Sequence, residues 1–129
     1  MFENCKNSKK QGDHGLGKAI AHYCAKGYTV SIPLTDSQEY DLIVENVNLQ
    51  KVQVKTTAHK NKKGYYVVNM RTMGGNKKKY WCKNIDKTKV DILFVLTDLD
   101  EIYIIPINEI KANTSITLSD FYKKFKLVV

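Results

Sequence analysis

Acids are scarce in this chain where bases are dense. Between residues 58 and 89 ten lysines and arginines face a single acid, Asp86. Cysteine is scarce too. Cys5, Cys24 and Cys82 are scattered and form no CxxC pair, which argues against a zinc knuckle or a dithiol redox motif. An odd, widely spaced set fits a reducing compartment better than secretion. No apolar run approaches the roughly 20 residues of a membrane span, and the opening MFENCKNSKK has no apolar core of the signal-peptide kind. The protein is therefore expected to be soluble and cytoplasmic, with no membrane partner. Internal repeats and linker-like stretches are missing as well, so residues 1–129 are expected to form one domain.

What is present is a strong and localised positive charge. The whole chain carries +8. Ten bases against one acid make segment 58–89 alone +9, so the remainder is near −1. Charge concentrated in this way points to a polyanionic partner, with nucleic acid ahead of membrane. Lys60, Lys62, Lys63, Arg71, Lys77, Lys78 and Lys79 are the candidate phosphate contacts, and Tyr80 a candidate for stacking on a base or packing on sugar. The competing reading is a solvated charged loop above buried aromatics, and for Trp81 packing is the better reading. His14, His22 and His59 have no metal-ligand spacing and read as exposed or satisfied histidines.

Hydrophobic periodicity orders the rest. Residues 1–11 are polar and read as a flexible arm. Leu16, Ala19, Ile20, Tyr23 and Cys24 make one face of a helix over about 14–26, capped by Asp13 and ended by Gly27. Gly15 and Gly17 within it suggest close approach of backbone to a sheet or a phosphate, packing being the simpler of the two. Strands are expected at 28–33, 40–45, 50–57, 65–70, 90–97 and 102–107, with a turn at Gly74–Asn76. VDILFVLT, residues 90–97, is apolar enough to be buried on both faces. One helical turn is expected at 108–112 and a short helix at 119–126 capped by Ser119. The class is α/β or α+β: one sheet with helices against it.

The hairpin of strands 40–45 and 50–57 holds the chemistry. It brings Asp41, Gln53 and Lys55 to one edge of a sheet, with Gln53 and Lys55 on one face because side chains alternate. A hard divalent cation takes oxygen ligands and keeps several waters. Asp41 offers a carboxylate, Gln53 an amide oxygen and Val54 a backbone carbonyl. Lys55 can orient an attacking water, help deprotonate it and offset developing negative charge. By residue type alone the same pattern also fits a turn acid and a lysine guarding a strand edge.

A wider pattern bears on that choice. GDHGLGK (12–18), KGYTVSIP (26–33), YDLIVE (40–45), VQVKTT (52–57) and the later VDILFVLTDLDEIYIIPINEI together resemble the PD-(D/E)XK nuclease superfamily. Within it the chain looks most like the group holding intron-encoded homing endonucleases and related phage and bacterial proteins. Holliday-junction resolvases are more distant kin. The resemblance covers most of 12–110. It implies a restriction-endonuclease-like core with a central mixed β-sheet flanked by helices. It also implies phosphodiester hydrolysis of DNA with Mg²⁺ (or Mn²⁺), and a homodimer or higher homo-oligomer. Asp41 matches the metal-binding aspartate and Lys55 the motif lysine, while Gln53 stands where an acid is usual. Leu16 stands where family members often carry a helix glutamate. Asp13 and Glu39 are the acids near enough in sequence to compensate. The alternative is a catalytically impaired DNA- or protein-binding domain on the same fold, and an RNA-cutting nuclease is a third reading.

Overall fold

The computed structural model describes Phe2, Cys5, residues 7–75 and residues 80–128; for 73–75 and 80 it describes the backbone only. The helix is longer than its apolar face implies. α1 runs Ser8–Ala25, and Asn7 is its cap, its side-chain oxygen accepting from the amide of Lys10. Asp13 is therefore inside the helix and is not its cap, and residues 8–11 belong to α1 rather than to an arm. The polar first turns hide this start from periodicity, because they face solvent and carry no apolar stripe. Gly27, with φ +81°, takes the left-handed conformation just past the helix end.

Five strands form the central sheet: β1 Thr29–Ser31, β2 Leu42–Glu45, β3 Leu49–Thr57, and, further along, a buried strand at Ile92–Thr97 and an edge strand at Ile102–Pro106. Between them in sequence lie β4 Val67–Asn69, β5 Thr72–Gly75 and β6 Tyr80–Lys83, which makes the two later sheet strands β7 and β8. The order is β1-β2-β3-β7-β8. β2 and β3 are the expected antiparallel hairpin, with Leu42 opposite Val52. β3 and β7 are parallel, and the remaining neighbours are antiparallel, so the sheet is mixed. β7 is buried at every position, as its unbroken apolar run requires.

Alternation along β3 and β7 divides the core. Val52, Ile92 and Phe94 join Leu42 and Val44 beneath α1, where Ala19, Tyr23, Leu16 and Ile20 pack on them. Gly15 is essential to this contact: a Cβ there would lie 2.6 Å from Thr56 Cγ2 and 3.3 Å from Val54 Cγ1. Leu93, Val95, Tyr103 and Ile105 occupy the other face. A two-stranded ribbon of β4 and β9 (Ser115–Thr117) covers that face together with short 3-10 turns. α1 is thus the sole α-helix among the described residues; the short helix expected at 119–126 is a 3-10 turn, Asp120–Phe125, whose Ser119 makes no side-chain cap.

β5, β6 and β9 were not expected. β5 and β6 form a separate antiparallel ribbon with Thr72 opposite Lys83. The expected turn at Gly74–Asn76 is strand as far as Gly75, and Asn76 lies outside the described residues. Gly, Lys and Asn dominate this stretch, and their low β-propensity conceals pairing that the ladder itself supplies.

Candidate active site

β2 stops short of β3, and the site forms where it stops. Asp41 is the residue before β2. Its amide donates to the carbonyl of Val52 at 2.8 Å, and its Oδ2 accepts from the amide of Val54 at 2.8 Å. The carboxylate therefore continues the ladder in place of backbone. Backbone groups of a strand alternate between its two neighbours. The carbonyls of Lys51 and Thr57 accept from residues flanking β7, and that of Val52 accepts from Asp41. The Val54 carbonyl thus turns, like its N–H, to the side where Asp41 sits. One oxygen of Asp41 and one backbone carbonyl converge at an open strand end.

Gln53 follows Val52 and so comes opposite Asp41, on the same face as Lys55 and half-buried. Lys55 is half-buried too, and its Nζ donates to the carbonyl of Arg71 at 3.3 Å. Burial raises the Asp41 carboxyl above its ordinary range, against the opposing pull of the Val54 amide and the Lys55 charge. Burial lowers the Lys55 ammonium, against the pull of Asp41 and then Glu39. Each group shields the other from the full penalty of its own desolvation.

The two acids proposed as compensators part company here. Asp13 lines one cavity with Lys9, Gly12, Leu16, Asp41 and Val54. The helical spacing of Lys9, Gly12, Asp13 and Leu16 puts them on one stripe of α1, looking onto the strand end. Leu16 packs against the core beneath α1 as well as lining this cavity. Glu39 lies in a neighbouring cavity with Asp36, Gln38, Thr72, Trp81 and Lys83. Its side chain is only 7% exposed, and its Oε1 is 3.1 Å from the Lys83 ammonium. Among the described residues no three His, Cys, Asp or Glu side chains gather as a metal cluster. The oxygen-bearing groups nearest this strand end are Asp41 and Asp13, which share the cavity with Val54, and Gln53 opposite Asp41.

The basic segment is not uniform. Lys83, Lys87 and Lys89 hold Glu39, the Ile110 carbonyl and Asp86. Lys62 and Lys63 are exposed on a tight turn closed by Asn61, whose Oδ1 accepts from the amides of Lys63 and Tyr65, with Gly64 at φ +86°. Lys60 is exposed, its ammonium 4.8 Å from the centre of the Tyr66 ring. Arg71 is exposed beside the Lys55 contact. Lys77, Lys78 and Lys79 lie outside the described residues; Tyr80 pairs with Gly75 by backbone. Trp81, expected to pack, is 49% exposed. His14 and His22 are neither exposed nor satisfied: each has a buried Nε2 without a hydrogen-bond partner among the described residues.

A family profile described as PD-(D/E)XK endonuclease matches residues 6–124. The fold is similar to the solved structure of a bacterial homing endonuclease, I-Ssp6803I, with a TM-score of 0.75 and 28% identity, over 92% of this chain and 82% of that one. None of the curated proteins matches the chain. Among the described residues no helix is long and apolar enough to cross a membrane.

Proposed function

The chain belongs to the PD-(D/E)XK endonuclease family, and on that premise we propose that it is a metal-dependent endonuclease cutting duplex DNA at Asp41, Gln53 and Lys55. The observation that carries the reading is the convergence of the Asp41 carboxylate and the Val54 carbonyl beside Lys55 at an open strand end. The donor set fits a hard divalent ion such as Mg²⁺ or Mn²⁺: all oxygens, few charges, room for water and phosphate. Asp41, the Val54 carbonyl and Gln53 would hold it, and Asp13, in the same cavity, would supply the carboxylate that Leu16 does not. Bound there, the ion would polarise the phosphate and lower the pKa of a coordinated water.

The chain's own groups do the rest. Lys55, with its ammonium lowered by burial, exchanges a proton with the attacking water and offsets charge growing on the phosphate. The Arg71 carbonyl orients it. Lys60, Lys62, Lys63 and Arg71 grip phosphates of the substrate, with Lys77, Lys78, Lys79 and Tyr80 added from the sequence. Similarity to a homing endonuclease supports DNA over RNA. Cutting both strands calls for a second copy of the site, and a homo-oligomer is the assembly we propose.

The test is cleavage of supercoiled, linear and branched DNA with Mg²⁺ or Mn²⁺ by the parent, Asp41→Ala and Lys55→Ala. Nicking by the parent alone is the expected result. Salt-sensitive DNA binding without metal-dependent cutting overturns the enzyme and leaves the impaired binding domain, the reading that Leu16 in the core favours.

A further inference from the structure

The β5–β6 ribbon stands apart from the central sheet, yet both of its strands make contacts beside the site at the ribbon's base. Arg71, the residue before β5, gives its carbonyl to Lys55. Lys83, the last residue of β6, gives its ammonium to Glu39. Glu39 in turn stands two residues before Asp41, so the pair is anchored next to the hairpin that carries Lys55. The pair is asymmetric. Lys83 is more than half exposed, whereas Glu39 is 7% exposed. The second oxygen of Glu39 is buried without a hydrogen-bond partner among the described residues. A carboxylate so placed needs a cation, and removing the one it has leaves an uncompensated buried charge.

We propose that Glu39 and Lys83 are positioning residues: their ion pair fastens a DNA-reading ribbon, β5–β6, to the catalytic lysine. The proposal rests on the nuclease reading above and adds to it the part of the protein that enters a DNA groove. A two-stranded ribbon has the width that a major groove admits. This one presents a half-exposed Trp81 on β6. With the ribbon seated, Lys83 neutralises Glu39, and Lys55 stays on the Arg71 carbonyl facing the scissile phosphate. Without Lys83, Glu39 draws the Lys55 ammonium toward itself and off its station. The ribbon thereby links reading to cutting without touching the reacting atoms.

Steady-state cleavage of a duplex substrate separates this from a plain phosphate contact. Lys83→Met is expected to lower kcat by about 100-fold, the scale of a misplaced catalytic group, with KM little changed. Lys83→Arg is expected to restore kcat. The double variant Glu39→Gln with Lys83→Met is expected to recover most of the loss, because no charge remains to capture Lys55. A Lys83→Met that raises KM with kcat intact, or a double variant as poor as the single, overturns the joint. Folding is checked by the thermal melt of each variant, and a double variant that melts like the parent but stays slow counts against the proposal.

Trp81 is the only tryptophan of the chain, so its emission reports on the ribbon directly, without turnover. Its emission is expected to change when duplex DNA saturates the protein in metal-free buffer, with occupancy followed by anisotropy of the labelled duplex. Saturating binding with Trp81 emission unchanged sinks the ribbon while leaving the nuclease reading intact. A protein that neither binds nor cuts DNA sinks both.

Discussion

Asp13 and Glu39 flank the same site and have the same charge, but the fold treats them in opposite ways. Asp13 is exposed on α1 and shares a cavity with Asp41 and Val54. Glu39 is buried under the β5–β6 ribbon and committed to Lys83. Sequence distance misleads here: Glu39 is two residues from Asp41 and Asp13 is 28 away. An acid that must receive a cation from solution needs access to solvent. An acid already holding a protein ammonium is part of the scaffold. On the function proposed above, the difference would suit Asp13 to metal and Glu39 to lysine placement.

That contrast can be broken in several ways. The largest effect is expected at the centre, which both acids serve. Asp41→Asn should reduce cutting by about 10³-fold or more in a plasmid-nicking assay, and Lys55→Ala by about 10²–10⁴-fold. Next come the acids themselves. Asp13→Asn should lower the rate by about 10–100-fold, with the loss recovered at high Mn²⁺, because affinity for metal is what suffers. Glu39→Gln, which leaves no charge to capture Lys55, should cost less, and that cost should not respond to metal. Rates measured across a metal titration decide; rescue of Glu39→Gln and not of Asp13→Asn would reverse the assignment.

Stability provides smaller effects. Gly15→Ala should destabilise by about 1–3 kcal/mol, since the new Cβ meets Thr56 and Val54 of β3. Gly17→Ala, with nothing within 4 Å of its Cβ, should stabilise by up to about 1 kcal/mol. Urea melts of the two variants compare them. The sign for Asp41 follows from its raised pKa. Folding favours the protonated carboxyl, so this contribution is full below the ordinary value of 3.8 and is lost as pH rises through the folded value. At neutral pH the ionised, buried group weighs against the fold. Asp41→Asn should therefore melt higher than the parent at pH 7, with the gap closing in acid; a lower melting point would mean that the bond from the Val54 amide outweighs burial.

Much of this was legible in the sequence for identifiable reasons. The β2–β3 hairpin, Asp41 before it, and Lys55 with Gln53 on one face follow from period-two alternation, which a half-buried strand cannot escape. β7 was readable because burial on both faces demands an unbroken apolar run. Leu16 was readable as packing because it lies on the helix stripe. The start of α1 was not, since Asn7 and the polar turn after it show no periodicity. Nor were β5 and β6: their Gly and Lys residues carry turn signals, and only pairing across the ribbon makes them strands. The Glu39–Lys83 pair spans 44 residues, and no local rule connects such partners. Asp13 was noted as an acid on the right helix, but its place beside Asp41 depends on the register of α1 over β3, which Gly15 sets.

Asp41 and Asp13 are proposed to share one divalent ion. Calorimetric titration of Mn²⁺ into the protein without DNA tests it most directly. The titration should show a single site that is lost in Asp41→Asn, weakened about tenfold or more in Asp13→Asn and unchanged in Glu39→Gln. A tenfold excess over the dissociation constant should also stabilise the parent by about 1.4 kcal/mol. Equal binding by the parent and Asp13→Asn, or loss of binding in Glu39→Gln alone, would contradict it.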